Sequence, residues 1–287
     1  MRIKITLTFD GKLVVPINHQ EWLHGLIYHS IRDDGYRDFL HNTGYQQGKR
    51  QFRMFTFSRL NGSYRLDKDS HTLEFSPPHV SFLFSAYDKK LVQELVSSLL
   101  IRDDLRMGSH PVKVESVEQI NESISEKMVI RFLTPVTMYS TFLLHDKKKT
   151  YFYSPREEEF SSLIRANALK KYEALHGEPP AGEKMLTLTP LHRERVKPKT
   201  TKFKSTIIKG WMGEFVLEGD LELIQLTYDV GLGAKNSNGH GLFEIVRHFR
   251  GDRCELAAID GSTWGDGTGS PRPPSHACQA VKMEEEG

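Results

Sequence analysis

The order in which strand and helix patterns follow one another along this chain indicates its fold class. RIKITLTF, near the start, alternates apolar and polar residues with a period of two, which predicts a strand. PINHQEWLHGLIYHSI then places its apolar residues at helical spacing. Further strands are predicted at FRMFTFSRL, HTLEFS and VSFLFSAY, followed by a helix at KKLVQELVSSLL and a strand at PVKVESV.

The second half of the chain repeats this order without the additional elements that decorate the first half. It begins with a strand pattern at MVIRFLTPV and a helix pattern over residues 157–175, and it continues with strands at EKMLTLTP and FKSTIIKGWMGEFVLEG, a helix at LELIQLTYDV and a last strand at LFEIV. Strand, helix, two strands, helix, strand is the ferredoxin-like order. The predicted fold class is therefore α+β, with two tandem ferredoxin-like domains built on antiparallel sheets and spanning residues 1–121 and 126–247.

Residues 248–287 have a different composition. They show no hydrophobic period and include GSTWGDGTGSPRPPS, so a disordered tail is predicted. Both cysteines, Cys254 and Cys278, lie in this segment, so residues 1–247 offer no thiol for catalysis or zinc binding. No window is apolar enough to span a membrane, and MRIKITLTFD lacks the apolar core of a signal peptide. We therefore expect a cytoplasmic protein without a membrane partner.

Two local motifs predict how the first helices begin and end. Asn18 and Glu21 have the spacing of a capping box, which would start the first helix. A second, short helix is predicted to end near His41 and Asn42, with Gly44 as its terminator.

Positive charge is concentrated in one segment of the second half. The net charge of +2 divides into +5 for residues 1–247 and −3 for residues 248–287. Between residues 193 and 209, Glu194 is the one acidic residue among the cations, which are Arg193, Arg195, Lys197, Lys199, Lys202, Lys204 and Lys209. Such a run is typical either of a solvated loop or of a segment that binds a polyanion, and the pattern alone leaves both open.

A glycine-rich loop, GLGAKNSNGHG, is predicted between the last helix and the last strand. It is not a dinucleotide-binding fingerprint, because Asn236 occupies the third glycine position and a strand follows. GYQQGKR, at residues 44–50, likewise lacks the spacing of a phosphate-binding P-loop. Glycines allow a backbone to approach a ligand closely, and successive N–H groups can hold an anion. The alternative is a tight structural connection. The candidate ligand contacts are Gly231, Gly233, Lys235, Asn236, Gly239 and Gly241.

These motifs together resemble a known family. VGLGAKNSNGHG in the second half, with NHQEWLHGLIYHSI and FLHNTGYQQGKRQFRMFTFSRL in the first, resembles the CRISPR repeat-processing endoribonucleases of the RAMP superfamily. The resemblance covers residues 1–247 and includes KPKTTKFKS. The superfamily also shares the glycine loop with non-catalytic members, whereas the N-terminal motifs are typical of the nuclease branch. The resemblance implies two RRM-like domains and a prokaryotic protein. It also implies that precursor repeat RNA is the partner of the basic segment and the glycine loop.

The resemblance also implies a reaction that needs no metal and no cofactor. Such enzymes leave a 5'-hydroxyl and a 2',3'-cyclic phosphate, so a 2'-hydroxyl must lose a proton, the leaving oxygen must gain one, and the phosphorane needs a cation. By the family pattern, His41 is the general acid/base, Tyr28 its hydroxyl partner, and Arg53 or Lys49 the cation, with Arg50 as a further alternative. A predicted helix end at His41 would favour a positively charged imidazole.

Three alternatives remain at this stage. His29, Asp33, Asp34, Asp38 and His41 could form a metal cluster, although Asp33 and Asp34 fit helix capping better. The chain could also be a catalytically inactive RAMP-fold RNA-binding subunit of a CRISPR effector complex. A ferredoxin-like protein with an unrelated partner is the third alternative. The pattern also leaves open a homodimer and association of the nuclease with an effector complex.

Overall fold

The computed structural model describes residues 1–145, 147–250 and 253–256, which form two α+β domains. The first domain contains, in chain order, β1 (Arg2–Thr8), β2 (Leu13–Pro16), α1 (Gln20–His29), α2 (Asp34–Asp38), a π-helical turn (Phe39–Thr43), β3 (Tyr45–Gln47), β4 (Arg50–Phe52), β5 (Phe55–Phe57), β6 (Tyr64–Asp67), β7 (Thr72–Phe75), β8 (His79–Ala86), α3 (Lys89–Ile101), β9 (Arg106–Met107), β10 (His110–Pro111) and β11 (Lys113–Ile120).

The main sheet of the first domain has the strand order β11-β1-β8-β5, and its neighbouring strands are antiparallel. Numbered within the repeat, this is the order 4-1-3-2, with α1 and α3 as the two crossover helices. Every residue of β8 after His79 is buried, including Phe82 and Phe84. The remaining strands form small sheets that extend from this ferredoxin-like core.

The second domain follows after a short connection between Ile120 and Lys127. Its elements are β12 (Lys127–Phe132), β13 (Tyr139–Leu144), β14 (Lys147–Phe152), α4 (Glu159–His176), β15 (Leu186–Pro190), a 3-10 turn (Arg193–Arg195), β16 (Lys197–Phe203), β17 (Thr206–Met212), β18 (Glu214–Gly219), α5 (Leu221–Val230), a 3-10 turn (Asn236–Asn238), β19 (Phe243–Arg250) and β20 (Arg253–Leu256).

The second main sheet has the order β15-β18-β12-β19-β20, again antiparallel. Without β20 this is the same 4-1-3-2 arrangement, so the predicted pair of ferredoxin-like domains is confirmed. The predicted tail begins too early, because β19 continues to Arg250 and β20 pairs with it along the sheet edge. The rest of that predicted tail, residues 251–252 and 257–287, lies outside the described residues.

The capping box predicted for α1 is wrong. The residue that precedes the helix is His19, and no side chain caps the first turn. The side chains of Asn18 and Glu21 instead accept hydrogen bonds from the backbone of Lys202 and Lys204 in the second domain. The prediction for Gly44 is confirmed, since it ends the π-helical turn with a φ of 61°.

Buried polar contacts join the two domains. The Arg2 side chain, which is 2% exposed, donates to the carbonyl oxygens of Phe243 and Tyr228, both at 2.7 Å. Its guanidinium carbon lies 3.6 Å from the centroid of the Tyr228 ring. Thr56 donates to the carbonyl of His240 at 3.0 Å. These hydrogen bonds connect the first main sheet to the end of the second domain. No helix in the described part of the chain combines the length and apolar composition needed to cross a membrane.

Candidate active site

Tyr28, His41 and Arg53 lie together on the first domain. The ring centroids of Tyr28 and His41 are 5.7 Å apart, in an edge-to-face arrangement. Arg53 donates from Nη2 to the carbonyl oxygen of His41 at 2.7 Å. Burial raises the pKa of the Tyr28 hydroxyl, and the Arg53 guanidinium opposes this shift. Three of the predicted catalytic residues therefore form one cluster, although they come from three separate segments.

Local structure explains how the cluster is assembled. Tyr28 lies in the last turn of α1, and His41 in the π-helical turn that follows α2. Gly44 then allows the chain to pass closely under Arg53. A Cβ at Gly44 would collide with the carbonyl of Phe52 and would lie 2.7 Å from Arg53 Nη1. The positive φ and the missing side chain of Gly44 are both needed for Arg53 to reach His41.

The His41 ring is exposed and held through one of its nitrogens. Nδ1 lies 2.8 Å from Oδ1 of Asn42. Because an amide oxygen can only accept, Nδ1 carries the hydrogen in this contact. Nε2 is then the nitrogen available for proton transfer to or from a bound molecule. Asn42 was not predicted as a site residue, and its position next to His41 in the sequence is the signal that could have identified it.

His24 also joins the cluster. Its ring centroid is 4.6 Å from that of Tyr28, one helical turn away, and 5.2 Å from that of Phe203. Burial, with smaller contributions from the charges of Lys204 and His41, lowers the pKa of His24 to about 4. His24 is therefore a neutral ring at physiological pH. The i, i+4 spacing to Tyr28 was visible in the sequence, but the contact with the second domain was not.

The basic segment forms the β16–β17 hairpin, and its tip docks on α1. Glu21 accepts a hydrogen bond from the backbone N–H of Lys204, and Asn18 accepts one from Lys202 at 3.5 Å. Glu21, His24 and Tyr28 lie on one face of α1, because their positions are i, i+3 and i+7. This face connects the hairpin tip to His41. A cavity of about 450 Å³ opens where the two domains meet, lined by Pro16, Asn18, Glu21, Trp22, Lys202 and Lys204.

The predicted cations differ in their positions. On the hairpin, Lys197, Lys199, Lys202 and Lys204 are all exposed. The 3-10 turn that precedes β16 carries exposed Arg193 and Arg195. Lys49 and Arg50 lie at the turn of the β3–β4 hairpin, and among the described contacts no hydrogen bond joins either to Tyr28 or His41. Of the three cations considered for the cluster, Arg53 is the one that the structure places in it.

A buried lysine organises the glycine-rich loop. Lys171, on α4, is 2% exposed and donates from Nζ to the carbonyls of Gly231 and Gly233 and to Oδ1 of Asn236, at 2.7, 2.9 and 2.7 Å. Burial lowers the pKa of Lys171 to about 7. Asn236 also donates from Nδ2 to the carbonyls of Leu232 and His240. Sequence reasoning missed Lys171, because a lysine in an amphipathic helix normally faces solvent.

The loop glycines make close contacts within the protein. A Cβ at Gly233, where φ is +70°, would lie 2.6 Å from the carbonyl oxygen of Thr137. A Cβ at Gly241 would collide with the carbonyl of Leu232, and one at Gly239 would touch Phe57 of the first domain. These contacts support the structural alternative for the glycines. Lys235 is only partly buried, and its Nζ lies 5.1 Å from the centroid of the Tyr139 ring.

Comparisons with known sequences bring both halves of the chain into one family. Residues 14–118 match the family described as CRISPR-associated protein Cas6, N-terminal. Residues 117–245 match the family described as CRISPR associated protein Cas6, C-terminal. The chain belongs to the Cas6 family. The resemblance predicted from the sequence motifs is thereby confirmed.

Cas6 relatives match over most of their length. The chain is 27% identical over 248 residues to the CRISPR-associated endoribonuclease Cas6 1 of Methanocaldococcus jannaschii, covering 84% of this chain and 91% of that protein. It is 27% identical over 253 residues to the CRISPR-associated endoribonuclease Cas6 of Pyrococcus furiosus, covering 85% of this chain and 90% of that protein. A solved structure of a CRISPR associated protein Cas6 superimposes with a TM-score of 0.70 at 27% identity, covering 86% of this chain and 99% of that one.

In this Cas6 chain the acidic residues near His41 have other partners. Asp33 caps α2 by accepting from the backbone N–H of Tyr36, as predicted, and it also pairs with Lys90 at 2.6 Å. Asp34 pairs with Arg37, and His29 Nδ1 hydrogen-bonds to the carbonyl of Gly25. Within the described residues, no group of three or more His, Cys, Asp or Glu side chains is arranged to hold a metal ion.

Proposed function

We propose that this protein is a metal-independent endoribonuclease that binds precursor CRISPR repeat RNA and cleaves it within the repeat to produce guide RNAs. The observation that carries this proposal is the convergence of Tyr28, His41 and Arg53 in one cluster, in which His41 is exposed and Tyr28 and Arg53 are partly buried. The names of the relatives in Methanocaldococcus jannaschii and Pyrococcus furiosus support the same activity.

The reaction uses a nucleophile that belongs to the RNA. The 2'-hydroxyl beside the scissile phosphate loses its proton and its oxygen attacks phosphorus, while the bond from phosphorus to the 5'-oxygen breaks and that oxygen gains a proton. His41 acts as the general acid/base: its Nε2 accepts a proton from the 2'-hydroxyl or donates one to the leaving 5'-oxygen. The Tyr28 hydroxyl orients the reacting groups. The Arg53 guanidinium stabilises the additional negative charge of the phosphorane. The products are a 2',3'-cyclic phosphate and a 5'-hydroxyl.

RNA reaches this cluster along the basic hairpin. Lys197, Lys199, Lys202 and Lys204, with Arg193 and Arg195 at the hairpin base, contact phosphates. Because the hairpin tip is hydrogen-bonded to α1, a strand held there is directed along the helix face towards Tyr28. Lys235, on the surface of the glycine-rich loop, adds a further phosphate contact, and the backbone of Gly231, Gly233, Asn236, Gly239 and Gly241 shapes that surface.

Product analysis tests this function. Purified protein should cut RNA transcribed from the CRISPR repeat of its host at one site in the presence of EDTA. The upstream product should carry a 2',3'-cyclic phosphate at its 3' end, which acid converts to a monophosphate, and the downstream product should begin with a 5'-hydroxyl. A strict requirement for a divalent ion would contradict the mechanism. Tight binding without cutting would instead support the catalytically inactive RNA-binding subunit.

A further inference from the structure

A second hairpin of the C-terminal domain has no role in the cluster described above. We call it the arm: the paired strands β13 and β14, residues 139–144 and 147–152. Its outer two-thirds are exposed on both strands, including large apolar side chains. β14 opens with three consecutive lysines, Lys147, Lys148 and Lys149. In the sequence, residues 139–152 contain these three lysines and one acidic residue, Asp146.

The strand register sorts these side chains onto two faces. Phe142 pairs with Lys149, Leu144 with Lys147, and Ser140 with Tyr151. Directly paired residues lie on the same face of a ribbon, so one face, which we call the aromatic face, presents Phe142, Tyr151, Leu144, Lys147 and Lys149. Phe142 is 48% exposed and Tyr151 47%. The opposite face presents Leu143 and Lys148 near the tip.

The Tyr151 ring is held in place although it is exposed. Its hydroxyl donates to Oε2 of Glu157 at 2.9 Å, and its ring meets that of Tyr153 edge to face at 5.0 Å. Glu157 also accepts from the backbone N–H of Ser154 at 2.6 Å, which satisfies its other oxygen. Phe142 is a diagonal neighbour of Tyr151, roughly 7–8 Å away across the ribbon. The two rings therefore form two separate platforms, and Lys149 lies opposite Phe142 and two residues before Tyr151 on the same face.

The base of the arm adjoins both surfaces proposed to contact RNA. Tyr139, the first residue of the arm, carries Lys235 of the glycine-rich loop above its ring. Val136, just before the arm, pairs with Trp211 of the basic hairpin, and Thr137 donates to the carbonyl of Lys209 at 2.7 Å. The arm, the loop and the basic hairpin thus emerge around one point of the second domain.

We infer that the aromatic face of the arm binds a single-stranded segment of the RNA, with bases stacked on Phe142 and Tyr151 and phosphates on Lys147 and Lys149. Surfaces that bind single strands combine aromatic rings with cations in this way, because every base has a π-face and every linkage a charge. Lysine is depleted at protein–protein interfaces, which disfavours a protein as the occupant. The inference rests on the proposed function, since it deepens the RNA-binding part of it.

Matched variants test the two faces. The probe is the host repeat RNA with a 2'-deoxynucleotide at the cleavage site, so that it binds without being cut. Replacing both Phe142 and Tyr151 by Ala should weaken binding about tenfold or more, the usual scale for lost base stacking. Lys147→Ala with Lys149→Ala should reduce the slope of log K against log salt by about 1.4, or 0.7 per phosphate on a single strand. Leu143→Ala with Lys148→Ala, on the opposite face, should have a clearly smaller effect, and thermal melting should show that all three double variants fold.

Photo-crosslinking of the unmodified protein gives an independent measurement. Repeat RNA that contains 4-thiouridine should crosslink to Phe142 or Tyr151, and mass spectrometry identifies the site. The inference would be overturned if the aromatic-face and opposite-face variants bound RNA equally well and the crosslinks were confined to other segments. Cleavage of the repeat by the parent protein would still support the proposed function in that case. A parent protein that neither binds nor cuts repeat RNA would overturn both. If Phe142→Ala abolished self-association of the protein and left RNA binding unchanged, the occupant of the aromatic face would be a second copy of the chain and not RNA.

Discussion

His41 is the residue on which the proposed chemistry depends most. Asn42 engages its Nδ1, the exposed ring leaves Nε2 accessible, and Arg53 is hydrogen-bonded to its backbone. The position of this residue near a helix end and its match to the family motif led to its prediction as the general acid/base, and that role stays a prediction. His24 and Lys171 could not be predicted in the same way, because their surroundings come from segments that are distant in the sequence.

At this scale, His41→Ala should slow single-turnover cleavage by about 100-fold or more, the usual cost of losing a general acid or base. The affinity for repeat RNA should change little, because the proposed phosphate contacts are made by the basic hairpin and the loop. Tyr28→Phe should have a smaller effect, since it removes a hydroxyl but keeps the ring that packs on His24 and His41. Cleavage by His41→Ala at the parent rate would require a different acid/base residue.

At the scale of elements, the hydrophobic periods predicted the order of the strands and helices, whereas contacts between elements decided several details. The long strand predicted at FKSTIIKGWMGEFVLEG is broken, because Gly213 lies between β17 and β18. The capping-box spacing of Asn18 and Glu21 misled the prediction, because the hairpin tip uses their oxygens instead. A local motif cannot reveal that a segment nearly two hundred residues away competes for the same side chains.

The glycine-rich loop offers a prediction that separates structure from binding. Gly233→Val should lower the melting temperature by on the order of 10 °C, because it adds strain at a positive φ and a collision with the Thr137 carbonyl. Gly177→Val is the matched control, because position 177 has a φ of +79° but open space around an added Cβ, so this variant should lose only the stability that the backbone strain costs. Differential scanning calorimetry gives both values. Equal melting temperatures for the two variants would contradict the packing account.

Lys235→Ala tests the same loop for RNA contact. Its Nζ faces Tyr139 and is not among the groups that hold the loop together, so the variant should melt close to the parent. Its affinity for repeat RNA should fall, and the salt slope should decrease by about 0.7 if the contact is to one phosphate of a single strand. Filter binding over a range of salt concentrations measures both. An unchanged salt slope would leave the loop with a structural role only.

At the scale of the whole molecule, the function depends on how the two domains meet. Composition and periodicity predicted two domains of the same fold, but not that Arg2, Thr56 and His24 of the first would contact the second. The hairpin tip is held beside α1 by the contact of His24 with Phe203 and by the hydrogen bonds to Asn18 and Glu21. Several of the buried groups along this interface are titratable, which makes the stability of the assembled molecule dependent on pH.

Acid should therefore destabilise the protein. Burial lowers the pKa of His19 to about 3 and that of His240 to about 4, and His24 is lowered similarly. Below pH 6.5 the unfolded chain takes up protons that the folded chain does not, so the free energy of unfolding falls as the pH drops from about 6.5 to about 4. At about pH 5 each histidine should account for roughly 2 kcal/mol of this loss. Urea titrations at about pH 7.5 and pH 5 measure this drop in the free energy of unfolding. The drop should be smaller for His240→Gln than for the parent protein. An equal drop in both proteins would contradict the role given to His240.

In the proposed mechanism, Tyr28, His41 and Arg53 together promote attack on the phosphate by a 2'-hydroxyl of the RNA itself. Single-turnover cleavage, in EDTA, of two repeat RNAs that differ only at the ribose 5' to the scissile phosphate tests this mechanism. The RNA with the native 2'-hydroxyl should be cut, and the 2'-deoxy RNA should bind with nearly the same affinity but remain intact. Cleavage of the 2'-deoxy RNA at a comparable rate would show that water or another group attacks the phosphate, and would contradict the account.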